Sequence, residues 1–339
     1  MINSKDISVV VQGPVIGSSN ESIENRYTYR CLTSIRKYLP DAEIILSTWE
    51  ECDVEGLDFD KVIFSKSIKA PKIYMPGTNE NPKLYSINHQ LITTQTGLKR
   101  ASRAYVMKIR SDMILTGIGF LKYFDKYKEK SDSEWSVLSS RVVTLPAYNP
   151  KLYIKMPFDV PDWFYFGKKE DIMDIFDVPL VDFDSCKYRK GENILHVEDV
   201  IGAEQYIWTA FLHKHVKFEF ENSVDLQHNS IENSEKSIAE NLVMVPADRL
   251  GVLNLKSPHS SYGAKPWLSS GFYTFDEWRM LYKKYCAPKY CILPNYFEIL
   301  LRNIQCFLRF HLKETRAYAR IVNIIRKIRE CLHKQKKWR

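Results

Sequence analysis

The stretch that most restricts the fold is Ala104–Leu115, AYVMKIRSDMIL, in which an apolar run is interrupted by polar residues where it ends. Tyr105, Val106, Met107 and Ile109 suit a buried strand. Lys108, Arg110, Ser111 and Asp112 are solvated easily at a strand's edge and at high cost in its middle. The polar group is therefore expected at the C-terminal end of a strand, the edge at which open α/β sheets bind ligands.

The rest of the chain supports such a sheet. Ile7–Gln12 reads as a first strand broken by Gly13 and Pro14, and residues 25–39 as a helix stopped by Pro40. Glu43–Trp49 and Lys61–Phe64 follow as strands, an order typical of a parallel α/β sheet. A loose segment, 70–83, leads to a helix over 86–102, in which Gly97 costs about 1 kcal/mol relative to Ala. Further on, 120–130 reads as helix, 135–145 as strand, 156–166 as a strand region broken by prolines, and 170–176 and 200–213 as helices. Residues 219–266 show no period that assigns them.

Charge divides the chain. The whole carries +8, yet residues 289–339 hold thirteen Lys or Arg against three Glu, a local excess of ten that leaves −2 on residues 1–288. Phe297, Leu300, Leu301, Ile304, Leu308 and Leu312 recur at helical spacing there, as do Tyr318, Ile321, Val322, Ile325, Ile328 and Leu332. The expected organisation is a domain over 1–285 and a basic amphipathic helical tail over 286–339. The tail suits an anionic membrane surface or a partner helix better than nucleic acid, since tracking phosphates needs no apolar stripe. A helical pair packed on the protein's own core fits the pattern as well. The seven cysteines are odd in number and contain no CxxC pair, which points away from a disulfide framework or zinc site and toward a reducing compartment. Neither a signal peptide nor a spanning apolar stretch is expected.

A carboxylate at a strand end, Asp112, flanked by Lys108 and Arg110, can hold Mg²⁺ or Mn²⁺ while the cations meet phosphate oxygens. A solvated Arg–Asp pair accounts for the same spacing.

Five segments in series, VVVQGP (9–14), NHQLITTQTG (88–97), KIRSDMIL (108–115), DWFYFG (162–167) and AEQYIW (203–208), resemble the WavE-type family of bacterial lipopolysaccharide and capsule glycosyltransferases. The resemblance implies a GT-A-type, Rossmann-like mixed sheet flanked by helices, with Arg110-Ser111-Asp112 standing where such enzymes usually carry DxD. It also implies a nucleotide-sugar donor. Gln12, Gly13 and Pro14 then close the first strand beside base and ribose, with Trp49 and Glu50 ending the second.

Arg26 and Arg30 lie one helical turn apart and can face one anion, or simply solvent. Asn88 and Gln90 present amides that suit sugar hydroxyls or a pyrimidine edge, or cap a helix. Asp162 and Trp163, before Phe164–Phe166, suit a sugar subsite or an aromatic core. For the acceptor's proton the candidates are Glu204 first, then Asp199 and Asp162. By the same resemblance His228 is a candidate third contact to a metal held by Asp112, though a lone histidine also fits a structural role.

The expected function is sugar transfer from a nucleotide donor to a glycan or lipid-linked glycan, peripherally on the inner face of the bacterial cytoplasmic membrane. A sugar nucleotidyltransferase or a non-catalytic membrane-associated scaffold is the alternative. Against the nucleotidyltransferase, the loop after the first strand holds only Gly13 and Gly17.

Overall fold

A computed structural model describes residues 2–17, 22–74, 82–152, 155–186, 188–196, 198–256 and 271–311. The strands in chain order are β1 (Ile7–Gln12), β2 (Glu43–Trp49), β3 (Lys61–Ser65), β4 (Lys72–Tyr74), β5 (Lys83–Leu84), β6 (Tyr105–Arg110), β7 (Met113–Leu115), β8 (Val142–Thr144), β9 (Phe164–Lys168), β10 (Ile194–His196), β11 (Leu242–Met244) and β12 (Val252–Asn254). The helices are α1 (Tyr27–Tyr38), α2 (Ile87–Leu98), α3 (Gly119–Tyr123), α4 (Lys169–Phe176), α5 (Ala203–His213), α6 (Ser230–Asn241), α7 (Ala247–Leu250), α8 (Phe275–Tyr285) and α9 (Tyr296–His311).

Seven strands form one mixed sheet in the order β11-β8-β9-β6-β1-β2-β3. β1, β2, β3 and β6 run parallel and β9 runs antiparallel between β6 and β8. Every residue of β1 and β2 is buried, which is why both carry consecutive apolar residues, Val9–Val11 and Ile44–Leu46, rather than an alternating pattern. The chain is thus α/β, a mixed sheet flanked by helices.

The opening stretch divides in two. β6 ends at Arg110, and β7 leaves the main sheet to pair antiparallel with β12. Ser111 and Asp112 form the turn between them.

The structure corrects several expected boundaries. The helix over 120–130 stops at Tyr123, because Phe124 turns to extended backbone (φ −60°, ψ 140°). Of 135–145 only Val142–Thr144 is strand, and of 156–166 only the end from Phe164 onward. The segment 70–83 contributes β4 and the start of β5, which form a three-stranded sheet with β10. The unassigned 219–266 holds α6, β11, α7 and β12. Gly97 has a reason to be glycine: a Cβ there meets Val10 Cγ1 at 2.5 Å and Ser47 Cβ at 3.1 Å, so α2 lies directly on β1 and β2.

α9 turns part of its expected stripe outward. Phe297, Leu300 and Ile304 are exposed, while Arg302 is fully buried against the Phe272 carbonyl and Glu277. The tail beyond His311, with its second expected stripe, lies outside the described residues. Among the described residues no helix is long and apolar enough to cross a membrane, and the described cysteines are free thiols.

Candidate functional site

Three parallel strands end side by side: β1 pairs Gln12 with Ser47 of β2 and with Arg110 of β6. Backbone bonds tie the ends together, Gly13 N–H donating to Ser47 O (3.1 Å) and Ser111 N–H to Gln12 O (3.0 Å). Gly13 adopts φ +117°, a conformation that side chains rarely take, and its absent Cβ leaves room for Ser111 Oγ 3.2 Å away. That hydroxyl donates to the Pro14 carbonyl at 2.7 Å. From α2, Thr93 Oγ1 donates to Gln12 Oε1 (2.9 Å), and the His89 ring meets Trp49 edge-on at 5.2 Å.

These residues enclose a cavity of about 250 Å³ at the C-terminal edge of the sheet. Gln12, Gly13, Pro14 and Trp49 form one wall, Ser86, His89, Gln90 and Thr93 a second, and Arg110, Ser111, Asp112 and Lys256 a third. A crevice at this edge is the usual ligand position in an open α/β sheet.

Charge is concentrated below and beside that third wall. Lys108 is fully buried, its ammonium 3.4 Å from Asp162 Oδ2 and bonded to the Asp162 carbonyl. Burial pulls its pKa down, with Asp162 opposing. Arg110 grips Asp112 with two bonds, Nε–Oδ1 at 3.2 Å and Nη2–Oδ2 at 3.1 Å, and its guanidinium lies over the Trp163 ring at 5.2 Å. Burial works against the Arg110 charge, but Asp162 and Asp112 outweigh it and hold the group above its ordinary value.

Glu204 stands in the first turn of α5 and keeps part of its surface open to solvent. Its carboxyl is pushed up to about 7, by burial first and then by Asp162, while Arg110 and Lys108 pull the other way. Asp159, beside them, is raised by burial and then by Glu204 and Asp162. Asp162 Oδ1 is buried with no hydrogen-bond partner among the described residues. A carboxyl near 7 coupled electrostatically to a cation that lines the cavity suits proton uptake paired with departure of an anion.

The structure thus brings Gln12, Gly13, Pro14, Trp49, Gln90, Arg110, Ser111 and Asp112 around one cavity, with Lys108, Asp162 and Glu204 forming the connected charge cluster. Other candidates stand apart from the cavity wall. Arg26 precedes the first residue of α1, makes no capping bond with its side chain, and folds that side chain over Gly17. Glu50 is exposed and follows β2, its N–H bonded to Ser65 O. Asn88 uses both ends of its amide on the Val181 backbone, each bond 2.8 Å. Asp199 pairs with Arg189 at 2.6 Å.

His228 pairs with Glu219 at 2.9 Å and does not line the cavity with Asp112. The donor set around Asp112 does not fit a divalent ion. One oxygen faces Arg110 Nε and the other faces both Arg110 Nη2 and Lys256 Nζ, the latter at 3.4 Å. No group of three or more His, Cys, Asp or Glu suited to a metal occurs among the described residues.

Sequence reasoning overlooked His89, Thr93, Lys256 and Asp159. The first two lie inside NHQLITTQTG, so the signal was present in that segment. Asp159 sits in a proline-broken loop and Lys256 in the unassigned region, where no periodicity pointed to them.

A family model described as WavE lipopolysaccharide synthesis matches residues 7–309, which include every strand and helix that builds the cavity. No curated protein matches the chain. Among solved structures, it is similar to the 4-diphosphocytidyl-2C-methyl-D-erythritol synthase of Anaerococcus prevotii DSM 20548. The two are 11% identical, 62% of this chain and 100% of that one are covered, and the TM-score is 0.31, which supports no inference about function. The family match spans the ends of β1, β2 and β6 together with α5 and Lys256, so the whole charged crevice falls within it, and the chain belongs to the WavE lipopolysaccharide synthesis family.

Proposed function

We propose that this chain transfers a sugar from a nucleotide-sugar donor to a lipopolysaccharide or capsule glycan acceptor, through a GT-A-type arrangement of the cavity. The observation that carries the reading is Glu204, raised to about 7 by burial and then Asp162 and coupled electrostatically to Arg110, whose guanidinium lines the cavity. In this reading the nucleotide lies between Gln12–Pro14, Trp49 and the start of α2. The amide of Gln90 and the ring of His89 meet base or ribose groups. The diphosphate lies against Arg110.

The acceptor hydroxyl oxygen attacks the anomeric carbon and the bond from that carbon to the diphosphate oxygen breaks. The hydroxyl proton passes to Glu204, and the electron pair leaves on the diphosphate, whose growing charge faces Arg110. Burial and then Asp162, itself held by Lys108, raise the proton affinity of Glu204.

The test is turnover of a panel of UDP-, GDP- and CMP-sugars with a lipopolysaccharide-core acceptor, for the wild type and Glu204→Gln. Loss of a base of this kind reduces turnover by roughly 10²–10⁴-fold. Unchanged turnover in the variant refutes the assignment. Release of pyrophosphate from a nucleoside triphosphate and a sugar phosphate replaces it with nucleotidyl transfer.

We further propose that the enzyme works peripherally at the inner face of the bacterial cytoplasmic membrane. Supporting this are the outward-facing Tyr296, Phe297, Leu300 and Ile304 of α9 and the basic excess of residues 289–339. Sedimentation with anionic but not zwitterionic vesicles is the expected result, and equal recovery in the supernatant with both refutes it.

A further inference from the structure

We infer that Lys256 and Arg110 together form a cationic clamp for the diphosphate of the donor, doing without a divalent ion the work that DxD-bound metals do elsewhere; this rests on the donor reading above. Asp112 is only 1% exposed, whereas the side chains of Arg110 and Lys256 are 27% and 48% exposed. The carboxylate is therefore the buried anchor and the cations are the groups the cavity presents. Arg110 spends Nε and Nη2 on Asp112, which leaves Nη1 uncommitted among the described residues. Lys256, two residues past the end of β12, reaches the same carboxylate at 3.4 Å and lines the same cavity.

A divalent ion placed at Asp112 meets two positive groups already in contact with that carboxylate, and no group of three or more His, Cys, Asp or Glu suited to holding it occurs among the described residues. A diphosphate placed at the same spot meets the reverse: two cations fixed by one anion, in a partly desolvated crevice where charge-assisted bonds are strong. Arg110, its Nε–Nη2 fork held by Asp112, offers the N–H groups of Nη1 to phosphate oxygens, and Lys256 adds a point charge that can follow the β-phosphate as it departs. When the anomeric carbon–oxygen bond breaks, the electron pair remains on the β-phosphate oxygen and is neutralised by these two groups. The proton goes to Glu204, and the step needs no further reactant.

The experiment is calorimetric titration of the full chain with UDP, GDP, uridine and guanosine, first in EDTA and then with Mn²⁺. At least one nucleoside diphosphate is expected to bind in EDTA, with Mn²⁺ changing its affinity less than about threefold. Lys256→Met is expected to weaken that diphosphate at least about tenfold, a loss of about 1.4 kcal/mol, while the matching nucleoside binds as before. Lys256→Arg restores most of the affinity. Because Lys256 is half-exposed, its variants test the clamp without the folding risk of removing Arg110. Binding that requires Mn²⁺, or diphosphate affinity unchanged in Lys256→Met, overturns the clamp and leaves the donor reading standing. Failure of both diphosphates to bind with or without Mn²⁺ overturns the two together.

Discussion

Glu204→Gln separates a catalytic carboxylate from a structural one, because its two expected effects have opposite signs. Raising the group from its ordinary 4.5 to about 7 at about 1.4 kcal/mol per pH unit corresponds to ~3 kcal/mol of penalty on the ionised form. Solvent reaching Glu204 and its favourable place at the start of α5 reduce this to about 2 kcal/mol. The folded carboxyl binds its proton more tightly than the unfolded one, so the penalty is absent below about pH 4.5, grows between 4.5 and 7, and is complete above 7. Glutamine, of nearly the same shape and never charged, escapes it. The variant is therefore expected to melt about 3 °C above the wild type at pH 8, since ~2 kcal/mol divided by the unfolding entropy of a chain this size gives that shift, and to match it within about 1 °C near pH 5. Turnover falls by roughly 10²–10⁴-fold at the same time. Melting curves at the two pH values and a turnover assay suffice. Equal melting at pH 8 refutes the desolvated environment of Glu204, and intact turnover refutes its role as base.

Other expectations follow from the same contacts. Wild-type turnover should rise with pH through about 7, and Asp162→Asn should move that limb to lower pH, since removing a negative neighbour makes Glu204 release its proton more readily; a limb that stays in place excludes the coupling. Asp112→Ala should abolish donor turnover by releasing Arg110 and Lys256 from their shared anchor, and full activity sinks that role. Asn88→Ala should cost about 1–3 kcal/mol in urea unfolding for two lost bonds to Val181, yet leave donor KM within about twofold; a large KM increase moves Asn88 into the site. Gly97→Ala should destabilise by about 1–3 kcal/mol despite alanine's better helix propensity, because its methyl strikes Val10; a stabilised variant contradicts the close approach of α2.

The legible parts of the fold were those whose burial shows as hydrophobicity. β1 and β2 are buried on both faces and centred on runs of Val, Ile and Leu, so they could be read at sight. α6 shows the opposite case: its buried face consists largely of Ser230, Ser234, Glu235, Ser237, Glu240 and Asn241, and no apolar period betrays it. Those side chains are inside because they serve as partners for backbone elsewhere. Ser234 accepts from Phe158 N–H at 2.8 Å, and Asn241 accepts from Val137 and Leu138 N–H at 3.0 Å each. A helix buried for its hydrogen bonds satisfies the rule that interior polar groups must be paired, yet it looks like a surface segment in sequence. The site divides the same way. QGP, NHQ and RSD lie at strand and helix ends whose positions follow from local pattern, whereas Asp159 and Lys256 arrive through loops whose course depends on the rest of the fold.

The alternation of KIRSD explains why one short segment serves two purposes. Successive side chains of a strand point to opposite faces, so Lys108 and Arg110 share one face of β6. Lys108, farther inside, loses all contact with solvent and holds Asp162; Arg110, at the last position of β6, still borders the cavity. Ser111, on the other side, locks the Gly13–Pro14 turn through the Pro14 carbonyl. Asp112, just past the strand, closes back on Arg110. An aspartate in place of Arg110 would add a further acid to Asp159, Asp162 and Glu204, raise Glu204 further and leave Asp112 without its main partner. With arginine there, the same position lowers the proton affinity of Glu204 and orients a cation toward the cavity. Arg110 is therefore the residue through which the acid cluster and the candidate anion site act on each other, and an Arg110→Lys change, which keeps the charge but loses the fork to Asp112, should weaken both functions at once.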